Sequence, residues 1–178
     1  MRKLMTLGLL GGCLLFAGAP RAMAQPPDAQ IIALDECDPA TFNDPAAGGP
    51  DFCKNIALGA STTFPNLFAE AAANTPDANW AFSPTQVTIK KGGTISVVDQ
   101  GGEPHTFTEV KQFGGGFLPP LNGGQAAAPE CAAGFGSVAV AKTRILQGST
   151  INVIGLAKGK HLFQCCIHPW MRTEVDVK

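Results

Sequence analysis

The most informative part of the sequence is a seven-residue run near the C-terminus, Cys165-Cys166-Ile167-His168-Pro169-Trp170-Met171. It offers a thiolate, an imidazole and a thioether at the spacing Cys-x2-His-x2-Met. These are soft or borderline donors, and together with a second imidazole they form the His2Cys set with a weak axial Met that copper electron-transfer sites use. The run therefore predicts a copper-binding loop in which Cys165, His168 and Met171 are donors.

A second histidine has to come from another part of the chain, because three donors in one tight loop cannot enclose an ion. The sequence has three histidines, at positions 105, 161 and 168. His105 follows Pro104 at the end of a predicted strand and precedes a long loop, so it is the favoured partner. We interpret His161 as an ordinary strand residue, with a role as an extra ligand as the minor alternative.

The pattern upstream of the run predicts an all-β domain. Apolar residues alternate with polar ones around Val87, Ile89, Ile95 and Val97, and Gly92-Gly93 forms a turn between them. Strand signals return in residues 137–147, 149–155, 160–166 and 173–178, after a Gly/Pro/Ala-rich loop over 111–135. Short strands with turn residues between them are typical of a β-sandwich. One short helix is predicted over residues 61–75, and residues 25–60 show little periodicity.

These motifs resemble the cupredoxins, the blue copper proteins, and the ligand loop is most similar to that of amicyanin-like and pseudoazurin-like members; plastocyanin-like members are further relatives. The resemblance covers about residues 80–110 and 136–178. Beyond the ligand loop it rests on Phe82-Ser83-Pro84, Val87 and Ile89, Gly93, Pro104-His105, residues 159–165 and residues 175–177.

The resemblance implies a Greek-key β-sandwich of the cupredoxin kind and one copper ion cycling between Cu(I) and Cu(II). It also implies the ligand set His105, Cys165, His168 and Met171. The chain is similar to exported bacterial single-domain cupredoxins that carry a cysteine-bearing N-terminal segment. It departs from the family at Asp99 and at Thr106, where many members have Asn. Both positions usually support the site through hydrogen bonds, which tune the sulfur and hence the redox potential.

Two neighbouring cysteines compete for the role of thiolate. Successive strand side chains point to opposite faces, so only one of Cys165 and Cys166 can face the metal. Counting from an inward-facing Phe163 favours Cys165. Cys166 with Cys-x-His spacing is the alternative, and a vicinal disulfide is the third reading.

The remaining mature cysteines are expected to pair, because an exported chain meets oxidising conditions. Four cysteines allow three pairings. We favour Cys37–Cys53 for its proximity in sequence. We favour Cys131–Cys166 because both residues are expected at the metal end of the domain.

The N-terminus predicts export to the periplasm. Arg2 and Lys3 begin a leader whose apolar stretch spans residues 7–19, and Ala22-Met23-Ala24 is a small-x-small cleavage site. Lipid attachment through Cys13 is disfavoured, because the apolar run continues past it. We therefore divide the chain into a signal peptide (1–24), an N-terminal extension with a short helix (25–79) and a cupredoxin domain (80–178). The extension is expected to pack on the sandwich as an accessory layer, with its helix covering an edge or face.

Composition excludes several function classes. The 13 Lys and Arg residues nearly balance the 14 Asp and Glu residues, giving a net charge of −1. No run of five or more basic residues occurs, so the charge pattern of a nucleic-acid-binding protein is missing. Beyond the leader there is no apolar run of the ~20 residues that a membrane span needs. A monomer with unidentified redox partner proteins is the favoured state.

The predicted function is that of a periplasmic one-electron carrier rather than an enzyme. The alternative is a copper carrier or buffer, because soft donors also suit exchangeable Cu(I). An open mononuclear catalytic site stays possible if Met171 does not bind. A zinc site or a metal-free structural domain is a further alternative, whereas a multicopper enzyme needs more histidines than this chain has. We expect His168 near the surface, with Trp170 either covering the ligand loop or adding to a docking patch, and Glu109 and Lys111 solvated.

Overall fold

The computed structural model describes residues 25–54 and 59–178 of the chain. The predicted signal peptide and Cys13 lie outside these residues. The described residues form ten strands and three short helices. The strands are β1 (Ala29–Leu34), β2 (Ala81–Ser83), β3 (Gln86–Ile89), β4 (Ile95–Asp99), β5 (His105–Thr106), β6 (Thr108–Val110), β7 (Arg144–Ile145), β8 (Thr150–Val153), β9 (Gly159–Gln164) and β10 (Arg172–Val177). The helices are α1 (Pro39–Phe42), α2 (Phe64–Ala72) and α3 (Val138–Lys142).

The strands form two four-stranded sheets in the orders β2-β1-β4-β8 and β3-β10-β9-β6, and β5 pairs with β7. One apolar cluster contains residues of both sheets, among them Ile31 and Val97 from the first and Phe163 and Val175 from the second. The two sheets therefore pack around a common core, and the predicted β-sandwich is confirmed. Strand β10 lies at the centre of the second sheet, antiparallel to β9 and parallel to β3.

The first sheet contains a strand that the sequence analysis did not predict. Residues 29–34 form β1, which pairs parallel with β4 and antiparallel with β2. Ile31 and Ala33 are fully buried on one face of this strand. The run Ala-Gln-Ile-Ile-Ala-Leu alternates too weakly to signal a half-buried strand, because its polar content is a single Gln. Residues 29–34 thus contribute an internal strand to the first sheet.

The predicted helix is confirmed over Phe64–Ala72. Thr63 is its N-cap and accepts a hydrogen bond from the Asn66 backbone N–H, and Pro65 lies in the first turn. Leu67 and Ala71 are buried. They belong to a second apolar cluster, which we call the N-terminal cluster: Cys37, Phe42, Cys53, Leu67, Ala71, Trp80 and Leu121. The single-helix expectation was wrong, since α1 and α3 are also present.

The segment 137–147 contains a five-residue helix and a two-residue strand, so the strand predicted there is confirmed only at Arg144–Ile145. Helix α3 occupies Val138–Lys142, and the strand that follows it has only two residues, Arg144–Ile145. The alternation of Val and Ala resembled a strand pattern, but Ala is a strong helix former, and the segment forms a short helix that buries Val140. The other predicted strand regions contain β8, β9 and β10.

The long loop 111–135 is ordered by contacts with the end of β9. Phe117 donates its backbone N–H to the Cys166 carbonyl, and Gly114 donates its backbone N–H to the Gln164 side chain. The Cys131–Cys166 disulfide ties the loop to the same place. Among the described residues, the longest helix has 9 residues, and none has the length and hydrophobicity that crossing a bilayer requires.

Candidate metal centre

Three donor side chains converge at one end of the sandwich. His105 begins β5, Cys165 directly follows β9, and His168 lies in the turn between β9 and β10. Their ligand atoms all lie within 4.8 Å of one another, and all three residues are buried. Cys165 Sγ is 3.9 Å from Nδ1 of each histidine. The residues that the sequence singled out from two distant segments therefore meet.

The loop between β9 and β10 is closed by its own backbone. The Cys165 N–H donates to the Met171 carbonyl at 3.0 Å, and the Met171 N–H donates to the His168 carbonyl at 3.0 Å. Two further N–H groups, of Thr106 and His168, donate to Cys165 Sγ, each at 3.4 Å. The sulfur is therefore held by backbone donors from both sides of the site, a position that suits a thiolate.

The electrostatics of the cluster favour an ionised sulfur. Burial alone would raise the pKa of the Cys165 thiol, but hydrogen bonds and positive charge from His105 and His168 outweigh it. The pKa of Cys165 consequently lies well below its usual range. A thiolate is the form in which cysteine binds metals.

Behind each imidazole lies a buried carboxylate. His105 Nε2 is 2.9 Å from Asp35 Oδ2, and His168 Nε2 is 3.1 Å from Glu103 Oε2. Burial alone would lower the pKa of both imidazoles. Hydrogen bonds to Cys165 and to these carboxylates instead raise the pKa of His105 well above its usual value and that of His168 to about 9. With each Nε2 on a carboxylate, each Nδ1 faces the sulfur.

Sequence reasoning missed Asp35 and Glu103. Asp35 directly follows β1, and it accepts hydrogen bonds from the backbone N–H groups of Cys37, Gly102 and Glu103. Its distance in sequence from His105 left no spacing signal. Glu103 stands two residues before His105, and that acidic neighbour was the one available hint.

The two residues where the chain departs from the family also lie at the site. Thr106 Oγ1 accepts a hydrogen bond from the Cys166 backbone N–H at 2.8 Å. Asp99 Oδ1 accepts from the Gly101 N–H at 3.0 Å, while Oδ2 finds no hydrogen-bond partner among the described residues. Burial is the main cause that raises the pKa of Asp99 to about 7.

The cysteines resolve the choice of thiolate. Cys166 forms a disulfide with Cys131, Cys37 forms one with Cys53, and Cys165 is the free cysteine of the described residues. Both favoured pairings are therefore confirmed. The readings of Cys166 as the thiolate and of a vicinal disulfide were wrong.

Two further residues were considered as metal ligands, Met171 as part of the predicted set and His161 as the minor alternative. Met171 is fully buried in the apolar cluster that contains Cys165. His161 lies in β9, as expected, and is 2.6 Å from Glu109 through Nδ1 and 2.9 Å from the Ala157 carbonyl through Nε2. Its ring therefore belongs to a surface pair.

His168 is not near the surface, contrary to expectation. Only 1% of it is exposed. The Trp80 ring lies 4.8 Å from it, centroid to centroid, and the Trp170 ring lies 5.6 Å from it. The N-terminal cluster brings Trp80 over the imidazole, and this cover could not be foreseen without β1 and the packing of α2. Trp170 is partly buried, so it is the more exposed of the two rings.

The donors present fit a copper ion. His105 Nδ1 and His168 Nδ1 lie 3.3 Å apart and face the same sulfur, so a proton or a cation has to lie between them. Two imidazole nitrogens and one thiolate in a buried site form the donor set that copper selects. The carboxylates behind the imidazoles are the kind of partner that metal-binding histidines have.

No family model and no curated protein matches the chain. Solved structures do. A reduced tryptophan-to-tyrosine mutant of amicyanin is 17% identical, with a TM-score of 0.37, over 57% of this chain and 77% of that chain. A novel purple cupredoxin from Nitrosopumilus maritimus is 16% identical, with a TM-score of 0.39, over 85% of this chain and 100% of that chain. The chain is thus similar to cupredoxins of known structure, the family that its sequence resembles.

Proposed function

We propose that this protein is a mononuclear copper protein that carries one electron at a time, with a type 1-like site. The observation that supports the proposal is the buried cluster of His105 Nδ1, Cys165 Sγ and His168 Nδ1, all within 4.8 Å of one another. When bound there, copper supplies a one-electron couple between Cu(I) and Cu(II).

The protein's own groups would do the rest. The two imidazoles and the thiolate hold the ion, and the backbone N–H groups of Thr106 and His168 fix the sulfur. Burial of all three donors excludes water from them. The loop is closed by the hydrogen bonds from the Cys165 N–H to the Met171 carbonyl and from the Met171 N–H to the His168 carbonyl, so the donors keep their places when the charge of the site changes. We propose Met171 as the fourth, weaker donor.

The electron is proposed to leave through Trp170 rather than through the edge of His168. His168 is covered, whereas Trp170 contacts it and is partly exposed. Redox partner proteins are therefore expected to dock around Trp170. Such encounters are small and transient.

We also propose the periplasm as the compartment. Two disulfides lie among the described residues, and disulfides persist in oxidising compartments. The leader expected from the sequence fits the same location.

The test is a visible and paramagnetic-resonance spectrum of the purified chain after addition of Cu(II). We expect an intense band near ~600 nm from a thiolate–copper bond. His105→Ala and Cys165→Ser should each abolish it, and His161→Ala, at the surface pair, should leave it unchanged. A colourless protein that still binds Cu(I) tightly would overturn the electron carrier and favour copper handling. A protein that binds no copper would overturn both.

A further inference from the structure

Glu103 is a buried carboxylate with one side-chain partner. It is 2% exposed, its Oε2 is 3.1 Å from His168 Nε2, and its Oε1 has no hydrogen-bond partner among the described residues. Burying a carboxylate is costly unless it is paired. Its one side-chain hydrogen bond, with His168, indicates its role.

The contact decides which nitrogen of His168 faces the sulfur. An imidazole that donates Nε2–H to a carboxylate keeps the lone pair on Nδ1. Nδ1 of His168 is the atom 3.9 Å from Cys165 Sγ. The other tautomer would place an Nε2 lone pair against the carboxylate and an Nδ1 proton where the ion has to bind.

The backbone of Glu103 is held by Asp35, the carboxylate that also contacts the His105 imidazole. Its backbone N–H donates to Asp35 Oδ2 at 3.1 Å, and the same oxygen lies 2.9 Å from His105 Nε2. The segment from Gly102 to His105 is therefore fastened to Asp35 at three points, which include the Gly102 N–H. A shift of this segment would move the His105 imidazole and the Glu103 carboxylate that contacts His168.

We propose that Glu103 is a positioning residue for His168, which keeps the imidazole in the Nε2–H tautomer with Nδ1 on the sulfur. Its charge stabilises the more positive state of the site. This inference rests on the proposed function, in which His168 is a copper ligand. The proposal places the Glu103 carboxylate against the Nε2 side of His168, which the sequence analysis expected to lie near the surface.

Two variants separate the hydrogen bond from the charge. Glu103→Gln keeps an oxygen that accepts the Nε2–H and removes the charge, whereas Glu103→Met removes both at similar volume. Glu109→Gln is the matched control, since it takes a carboxylate from the surface histidine, His161.

The first readout is nitrogen-15 NMR of the histidine rings in the full metal-free chain, recorded above the pKa of about 9 that His168 has in the folded chain, where its imidazole is neutral. We expect His168 of the wild type to carry its proton on Nε2 and its lone pair on Nδ1. Glu103→Gln should keep this tautomer, whereas Glu103→Met should give a mixture of the two tautomers. The same tautomer mixture in the wild type and in all three variants would overturn the positioning role. This readout needs no copper, so its outcome does not depend on whether the proposed function is correct.

The second readout is copper affinity, measured by competition with chelators for Cu(I) and Cu(II). Loss of such outer partners typically weakens metal binding ~10–100-fold. We expect a loss of this size for Glu103→Met and a smaller one for Glu103→Gln, with Cu(II) affected more than Cu(I) in both. Wild-type affinity in a folded Glu103→Met variant would overturn the inference while leaving the proposed function intact. Absence of copper binding by the wild type would instead overturn the proposed function.

Discussion

Thr106 shows how one side chain supports the loop between β9 and β10 from the neighbouring strand. Its Oγ1 accepts the Cys166 N–H at 2.8 Å and the Thr108 hydroxyl at 3.2 Å, and the residue is fully buried. Its backbone N–H separately donates to Cys165 Sγ. The hydroxyl therefore orients the chain around the thiolate without touching the sulfur.

Thr106→Val should destabilise the protein, because it leaves the buried Cys166 N–H without a partner. A buried unpaired donor costs about 1–3 kcal/mol. The backbone donor to Cys165 remains, so the thiolate–copper band should persist while the free energy of unfolding in urea falls. Thr88→Val, on the exposed face of β3, is the control and should change stability far less. Equal losses in the two variants would refute the role given to the hydroxyl.

The convergence of His105, Cys165 and His168 could be predicted from the sequence because their spacing has chemical meaning. Cys165 and His168 stand three residues apart, and His105 was the one remaining histidine at a strand end. The carboxylates could not be predicted, because a contact between Asp35 and His105 depends on the pairing of β1 with β4. Such a long-range contact leaves no periodic trace in the sequence.

At the scale of elements, β6 and β9 are joined on their exposed face by a pH-dependent pair. Glu109 of β6 lies opposite Phe163, so His161 of β9 is its diagonal neighbour. The hydrogen bond to Glu109 is the largest cause that raises the pKa of His161 above its usual value. The charged groups Lys111, Glu130 and Lys160 line the same surface.

The pair should contribute stability at low pH and lose it at high pH. Because the folded pKa of His161 exceeds the unfolded value near ~6.5, the contribution is fully present below that value and disappears as pH rises through the folded pKa. Half of the Glu109 side chain is exposed, so solvent screens the pair and the gain is about 0.2–1 kcal/mol. Glu109→Gln should therefore cost this much near pH ~6 and almost nothing near pH ~9.

The measurement is urea unfolding of wild type and variant at both pH values. Glu174→Gln is the matched control, since Glu174 pairs with Lys160, whose pKa is raised from an already high value. Its small cost should be the same at both pH values. A cost of Glu109→Gln that does not change with pH would contradict the His161 assignment.

The elements also show where pattern reading succeeds and fails. Strand β3 and helix α2 follow their periodicity, and each has a clear start signal. Strand β1 was not predicted because an apolar run of six residues does not distinguish a buried strand from other buried structure. Helix α3 was not predicted because Val and Ala alternate over a segment that is too short to distinguish helical from strand periodicity.

At the scale of the whole molecule, two apolar clusters meet at the loop between β9 and β10. Trp170 packs against both the sandwich core and the N-terminal cluster. Trp80, within the N-terminal cluster, lies over His168 and donates its Nε1–H to Thr62 Oγ1 at 3.0 Å. The N-terminal cluster thus closes the end of the sandwich where His105, Cys165 and His168 converge. The Cys37–Cys53 disulfide holds this cover together.

Removing Trp80 should open the site to small redox reagents. In wild type, Trp80 is 1% exposed and separates His168 from solvent. Trp80→Ala should cost about 3–5 kcal/mol of stability and leave a cavity on the imidazole. Oxidation of the reduced copper protein by hexacyanoferrate, followed by stopped-flow absorption, should then become several-fold faster. Phe82→Ala is the control, because it removes a buried aromatic of the same cost class from the sandwich core, where its ring packs against Phe107. If both variants were oxidised at the same rate, the cover would be a stabilising layer alone and electron exchange would be governed elsewhere, at Trp170.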